Sequence, residues 1–146
     1  MTRNQKDFTP DSDLELRDAG LILADAASLV DSAAKIIDLG TGRTDFRIIV
    51  DMGVVEVATT DEILEIICQV SSSSTFASTI KNVAILRFSA LAVQIGGADA
   101  GAAIGRYELH GCNEINGTIY RYLRLYENYT GTIDTGFNFT AWLVKQ

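Results

Sequence analysis

The chain has 146 residues, of which 47% are hydrophobic and 21% charged, so we expect one folded domain with its own core, and the composition excludes a wholly disordered chain. The formal net charge is −7, and a surface of that sign repels phosphate backbones, which argues against DNA or RNA as a partner. No apolar run has the length of a membrane span and the N-terminus does not resemble a secretory leader, so no membrane association is expected.

The first segment, residues 1–16, is polar and contains the only proline, which predicts an extended N-terminal arm preceding a domain at residues 17–146. Three of its large apolar side chains are Phe8, Leu14 and Leu16. A polar tail with a few apolar anchors can become ordered when it binds a partner. We therefore expect these three residues to be interaction sites.

The elements that follow are predicted from hydrophobic period. Residues 21–29 predict a short helix, because two leucines and two alanines partly share one helical face. After them the period changes to two, which is typical of half-buried strands. Gly53 is expected to separate two of these strands. The predicted strands cover residues 35–39, 45–51, 54–58, 62–70, 80–89, 106–111, 118–129 and 132–145.

Two of these strands alternate with particular regularity. Apolar residues occupy every second position of residues 62–70, and Phe137 and Phe139 begin such a series in the last strand. The tight connection at Tyr129-Thr130-Gly131 predicts that the last two strands form a hairpin. About eight short strands with little helix predict an all-β, antiparallel β-sandwich, and the strand count favours a jelly roll over an immunoglobulin-like sandwich.

Few residues could carry chemistry. His110 is the only histidine, so a metal cage of several imidazoles cannot form, and its spacing from Cys112 does not orient the two for proton transfer. Residues 11–15 alternate acidic side chains but lack the glycine turn of a calcium loop, and the glycine-rich residues 96–105 lack the lysine of a phosphate loop. Cys68 and Cys112 are predicted to be buried, inert thiols. We expect no catalytic centre, no metal and no cofactor.

Tyrosines recur in the penultimate predicted strand. Tyrosine on an exposed sheet face is enriched in protein contacts and in sugar-binding surfaces, whereas the alternative is cross-strand packing with the hydroxyl at the rim of the sheet. The candidate interaction residues of this strand are Tyr120, Tyr122, Arg124 and Tyr126.

Three stretches of sequence, taken in order, carry a resemblance that covers approximately residues 18–146. They are Asp38-Leu39-Gly40, then Ser73-Ser74-Thr75-Phe76-Ala77-Ser78, then Arg121-Tyr122-Leu123-Arg124-Leu125-Tyr126 leading through Tyr129-Thr130-Gly131-Thr132 to Phe139-Thr140-Ala141-Trp142-Leu143-Val144. In this order they resemble the cement-protein family of Bordetella phage and related tailed phages. None of the three is a catalytic signature.

The resemblance implies a jelly-roll protein made in the bacterial host cytoplasm and located in the virion, on the outer surface of the capsid. Its partners would be the major capsid protein and further copies of itself, as a homodimer or homotrimer at an icosahedral symmetry axis. It implies no active-site residues. The tyrosines keep a second function open, a sugar- or receptor-binding module of a virion, and an enzyme is the least expected class.

Overall fold

A computed structural model describes residues 11–22, 24–56, 60–96, 103–132 and 134–146. Within these ranges the protein is all-β with antiparallel pairing, as predicted, and two single-turn 3-10 helices at Ser12–Leu14 and Leu91–Val93 are its only helices. The strands are β1 Glu15–Arg17, β2 Leu21–Ile22, β3 Ala26–Ala27, β4 Leu29–Val30, β5 Ala33–Ala34, β6 Ile37–Asp38, β7 Asp45–Val54, β8 Ile63–Ser71, β9 Lys81–Ser89, β10 Gly105–Cys112, β11 Glu114–Ile115, β12 Thr118–Ile119, β13 Tyr122–Thr130 and β14 Phe137–Lys145.

Two five-stranded sheets form the body of the protein. The first sheet has the order β1-β14-β7-β10, and β2 also pairs with β14. The second has the order β3-β13-β8-β9, and β6 also pairs with β13. Two short ribbons, β4 with β5 and β11 with β12, complete the described pairing.

The two sheets pack as a β-sandwich around one hydrophobic core. Because successive side chains of a strand point to opposite faces, each long strand contributes alternate apolar residues to this core. Burying each large one contributes about 1.5–3 kcal/mol. The alternation predicted for β8 and β14 is confirmed. The most buried residues of the four central strands are Phe46, Ile48 and Val50 of β7, Leu64, Ile66, Cys68 and Val70 of β8, Leu123 and Leu125 of β13, and Phe137, Phe139, Ala141 and Leu143 of β14.

The predicted hairpin of the last two strands is wrong. β13 pairs with β8 in the second sheet, whereas β14 pairs with β7 in the first, so the chain crosses between sheets after Thr130. Gly131 begins this crossing with a φ of +103°, and a Cβ there would lie 2.4 Å from the carbonyl oxygen of Asp61. The connection is tight because it packs against the backbone before β8, and it does not turn back on β13.

The predicted helix at residues 21–29 is also wrong within the described residues. Short strands take its place, with Leu21 pairing with β14 and Ala26 pairing with β13. These edge pairings, together with a hydrogen bond of 2.8 Å from Nη2 of Arg17 to the carbonyl oxygen of Gly20, hold the segment extended. Tertiary contacts therefore override the modest helix propensity of its leucines and alanines.

Gly53 does not separate two strands as predicted. β7 continues through it, and the register of β14 passes from Asn138 opposite Val54 to Phe139 opposite Met52. Gly53 is thus the extra residue of a β-bulge, a position that glycine often occupies in strands.

Candidate functional site

Three of the predicted interaction residues meet on the outer face of β13. Tyr122, Arg124 and Tyr126 alternate along the strand with the buried residues Leu123 and Leu125, so their side chains point away from the core. All three are half-buried. We call this set the tyrosine face.

Arg124 is held at the centre of the tyrosine face by two aromatic rings. Its guanidinium carbon lies 4.4 Å from the ring centroid of Phe76 and 5.3 Å from that of Tyr126. Its Nε donates a hydrogen bond of 2.9 Å to Oε1 of Gln69 on β8. Partial burial lowers the pKa of Arg124 from its ordinary value, but a guanidinium keeps its charge in proteins. The face therefore presents a fixed cation between aromatic surfaces.

The tyrosine face continues across the sheet as an apolar row. Tyr126 lies opposite Ile67 of β8, which in turn lies opposite Ile85 of β9. Ile67 is buried, whereas Ile85 is 52% exposed. A polar row borders it, in which Nδ2 of Asn128 donates to Oε2 of Glu65 at 2.8 Å. An aromatic and aliphatic centre with a polar border has the composition of a protein-binding surface.

The sequence matches no protein-family model and no curated protein. The described part of the chain contains no helix with the length and apolar character needed to span a bilayer.

The remaining interaction candidates lie elsewhere. Phe8 falls outside the described residues. Leu14 is half-buried against the core, and Tyr120 also packs against the core while its N–H donates to the carbonyl oxygen of Asn113 at 2.8 Å. Neither of the two joins the tyrosine face.

The prediction of Leu16 as an interaction residue of an N-terminal arm does not agree with its position. Leu16 is fully buried in β1, which pairs with β14, so it belongs to the core of the sandwich. The predicted division between residues 16 and 17 falls inside this strand. The arm hypothesis missed this because three residues are too few to show a strand period.

The residues that the sequence offered for catalysis do not form a common site, and some of them have structural roles. His110 is exposed on β10, with Nε2 3.3 Å from Oε2 of Glu108. Oδ1 of Asp11 accepts the N–H of Asp13 at 3.0 Å and so caps the first 3-10 helix. In the described ranges, no three His, Cys, Asp or Glu side chains cluster in a way that could hold a metal ion.

The two cysteines differ. Cys68 is fully buried in β8, and this burial raises the pKa of its thiol. Cys112 is half-exposed, with Sγ 3.4 Å from the carbonyl oxygen of Glu114, so the prediction of a buried thiol is wrong there. Its position at the end of an edge strand explains the exposure.

Sequence reasoning missed a buried ion pair between the sheets. Nε of Arg17, in β1, donates to Oε1 of Glu127, in β13, and both side chains are less than one-tenth exposed. The hydroxyl of Ser28 donates to the same oxygen at 2.7 Å. A signal was present, because Glu127 occupies an inward position of β13 between the buried residues Leu125 and Tyr129. An acidic residue on the apolar face of a strand indicates a buried partner.

Proposed function

We propose that this protein is a structural component of a tailed-phage head, a cement protein that binds the outer surface of the capsid and stabilises the lattice of the major capsid protein. The observation that carries the proposal is the tyrosine face, an outward-facing cluster of two tyrosines and a stacked arginine. Aromatic residues and arginine are enriched at the energetic centres of protein interfaces. This is the surface that would meet the capsid.

The strand order supports a jelly roll, the fold expected of such a protein. β1 with β2 form one strand position and β3 with β6 another, which gives eight positions shared equally between the two sheets. Successive positions lie in different sheets, except that β8 and β9 are neighbours in one sheet. Such a path is that of two Greek keys wound together.

The charge of the chain agrees with a position outside the head. A net charge of −7 is compatible with an external surface, whereas beside packaged DNA it would be repelled.

Binding to a capsid also requires only a modest affinity from each contact. A specific interface buries roughly 800 Å² per partner, and many copies on one lattice add their contacts through effective concentration. A homodimer or homotrimer of this protein would brace several capsid subunits at once.

The proposal is tested with phage heads assembled with and without the protein and exposed to osmotic shock. Heads that carry it should survive better, and equal survival would overturn the proposal. The double variant Arg124→Ala/Tyr126→Ala should fail to bind the heads. Thr140→Ala, which alters the half-buried outer face of β14 in the other sheet, should bind as the unaltered protein does. Circular dichroism must show that both variants are folded.

A sugar-binding or receptor-binding module is the second candidate, and one observation favours it. Tyr122 and Tyr126 leave part of their surface open, and Asn128, with its side-chain amide, is the next outward residue of β13 after Tyr126. Sugar sites combine aromatic rings with such hydrogen-bonding groups. Binding on a glycan array that Tyr122→Ala/Tyr126→Ala removes and Thr140→Ala preserves would support this function. A glycan array without signal would contradict it.

A further inference from the structure

A cleft of about 420 Å³ opens between β1 and the edge of the second sheet. Arg17 and Glu127, the buried ion pair, lie along it, and its walls include Leu21, Ala24, Ala27 and Leu29. The volume is within the range of roughly 300–1,000 Å³ that is typical of sites for drug-sized ligands. It is therefore larger than one water or ion requires.

Only one carboxylate oxygen of Glu127 accepts hydrogen bonds from the described part of the protein. Its Oε1 accepts hydrogen bonds from Nε of Arg17 and from the hydroxyl of Ser28. Its Oε2 accepts none from any described residue, although the side chain is only 6% exposed and borders the cleft. Oε2 is therefore left to solvent at the cleft, where it can accept a hydrogen bond from a ligand that carries a donor.

Arg17, in contrast, is largely committed to the protein. Besides Glu127, its guanidinium donates to the carbonyl oxygens of Asp18 at 2.8 Å, Phe139 at 2.7 Å and Gly20 at 2.8 Å. It also lies 4.5 Å from the ring centroid of Phe139. These contacts fix the guanidinium, so it holds Glu127 in place and has little capacity left for an anionic ligand.

The charge around the cleft is negative beyond this pair. Asp18 lines it, and Oδ2 of Asp18 accepts the N–H of Asp31, a second acidic residue, at 2.9 Å. The positive charge of Arg17 neutralises the negative charge of Glu127. The carboxylate of Asp18 therefore leaves the lining of the cleft with an excess negative charge. The complementary ligand is a cation.

The walls set the shape of that cation. Alanines form a smooth surface on which an alkyl chain can lie, and the leucines Leu21 and Leu29 are 56% and 43% exposed. Lysine and arginine have this form, with an apolar stem and a charged end. Exposed leucines beside the cleft favour apolar groups on either side of the cationic side chain.

We propose that this cleft binds a lysine or arginine side chain that is carried on an extended peptide between apolar residues. The cationic group donates to Oε2 of Glu127, the stem lies along Ala24 and Ala27, and the flanking residues pack on Leu21 and Leu29. The site is independent of the tyrosine face and of the proposed role in a phage head, so either can fail while the other stands.

Isothermal titration of the full chain with acetyl-Leu-Arg-Leu-amide tests the site. A matched peptide with citrulline in place of arginine keeps the shape and removes the charge. Because the ureido group of citrulline still donates N–H but carries no charge, the charge assistance of the hydrogen bond is lost, and we expect this peptide to bind at least about tenfold more weakly. Equal affinities for the two peptides, or no binding of the arginine peptide at millimolar concentration, would overturn the proposal. Free agmatine binding as tightly as the peptide would overturn the assignment of a peptide ligand.

The variant Ala27→Leu locates the site because the larger side chain fills the cleft and leaves Glu127 and Arg17 in place. It should remove peptide binding. The matched control is Ala34→Leu, on exposed β5 outside the cleft lining, and should bind normally. Should Ala27→Leu not fold, amide shifts of the unaltered protein decide the question. Peptide-induced shifts at Ser28 and Glu127 support the site, and shifts confined to other residues contradict it.

Discussion

Arg17 and Glu127 are 110 positions apart in the chain and join the two sheets through a buried, charged hydrogen bond. Removing one partner leaves the other charge buried without compensation, which costs about 3–5 kcal/mol. We expect Arg17→Met to lower the free energy of unfolding by about this amount in urea denaturation. The double variant Arg17→Met/Glu127→Leu should recover a large part of it, because an apolar pair of similar volume needs no charged partner.

Arg121→Met provides the control for this experiment. Arg121 pairs with Asp38 on the surface, where solvent screens the charges, so the free energy of unfolding should change little. A double variant at positions 17 and 127 that is no more stable than Arg17→Met would show that the cost comes from the other contacts of Arg17, its hydrogen bonds to carbonyl oxygens and its packing on Phe139.

Gly131 is expected to tolerate substitution less well than Gly42. Gly131→Ala places a Cβ 2.4 Å from the carbonyl oxygen of Asp61 at a φ of +103°, so backbone must move. We expect a loss of more than about 2 kcal/mol in the free energy of unfolding, since left-handed strain alone costs about 1–2 kcal/mol. Gly42→Ala meets nothing within 4 Å and should be nearly neutral. Similar unfolding midpoints for the two variants would contradict the crossover geometry.

The pKa of Asp38 depends on Arg121. Two hydrogen bonds from Arg121, at 2.8 and 2.7 Å, and one from the N–H of Gly40, at 2.8 Å, lower the pKa of Asp38 to about 2 from an ordinary value of 3.8. Because the pKa of Asp38 is lower in the folded protein than in the unfolded chain, the ionised carboxylate stabilises the fold above the ordinary pKa. This contribution to stability is lost as the pH falls toward 2.

A carboxyl-carbon NMR titration of Asp38 checks this. In Arg121→Gln the midpoint should rise toward the ordinary pKa, and in Arg106→Gln, which breaks the separate Arg106–Asp51 pair, it should stay low. A midpoint that does not respond to Arg121→Gln would show that the backbone contact alone holds the pKa down.

The thiols should react in two distinct steps. Cys112 is half-exposed, whereas burial raises the pKa of Cys68 and keeps it protonated and covered. A disulfide reagent should therefore label one thiol of the folded protein quickly and the second only on unfolding. Cys112→Ser should remove the fast step. Rapid double labelling of the folded protein would contradict the buried position of Cys68.

The sequence predicted strand faces far better than strand partners. Leu64 and Phe139 lie inward as their alternation requires, because a period of two depends only on each strand and the core. The hairpin failed because strands with equally apolar faces can either pair or oppose each other across a sandwich. A glycine at position 131 is compatible with a hairpin turn and with a crossing between sheets. Its contact with Asp61, which decides between them, is not visible in a local pattern.

The candidate site shows the same limit. Tyr122, Arg124 and Tyr126 were found because they are neighbours on one strand. The contribution of Phe76, which stacks on Arg124 from a loop, requires the fold. The cleft beside Glu127 was missed for the same reason, since β1 and β13 meet only through the packing of the two sheets.

The pairing of β1 with β14 has a consequence for how the protein is made. On a ribosome, β1 emerges well before its partner and stays without it until the strands between them and β14 itself have been synthesised. During this interval Leu16 and the apolar face of β7 lack their cover, which is the condition in which nascent chains recruit chaperones. Pairings so distant in sequence also place folding in the millisecond-to-second range. A chain that stops before β14 would lose the middle of its first sheet and should be degraded.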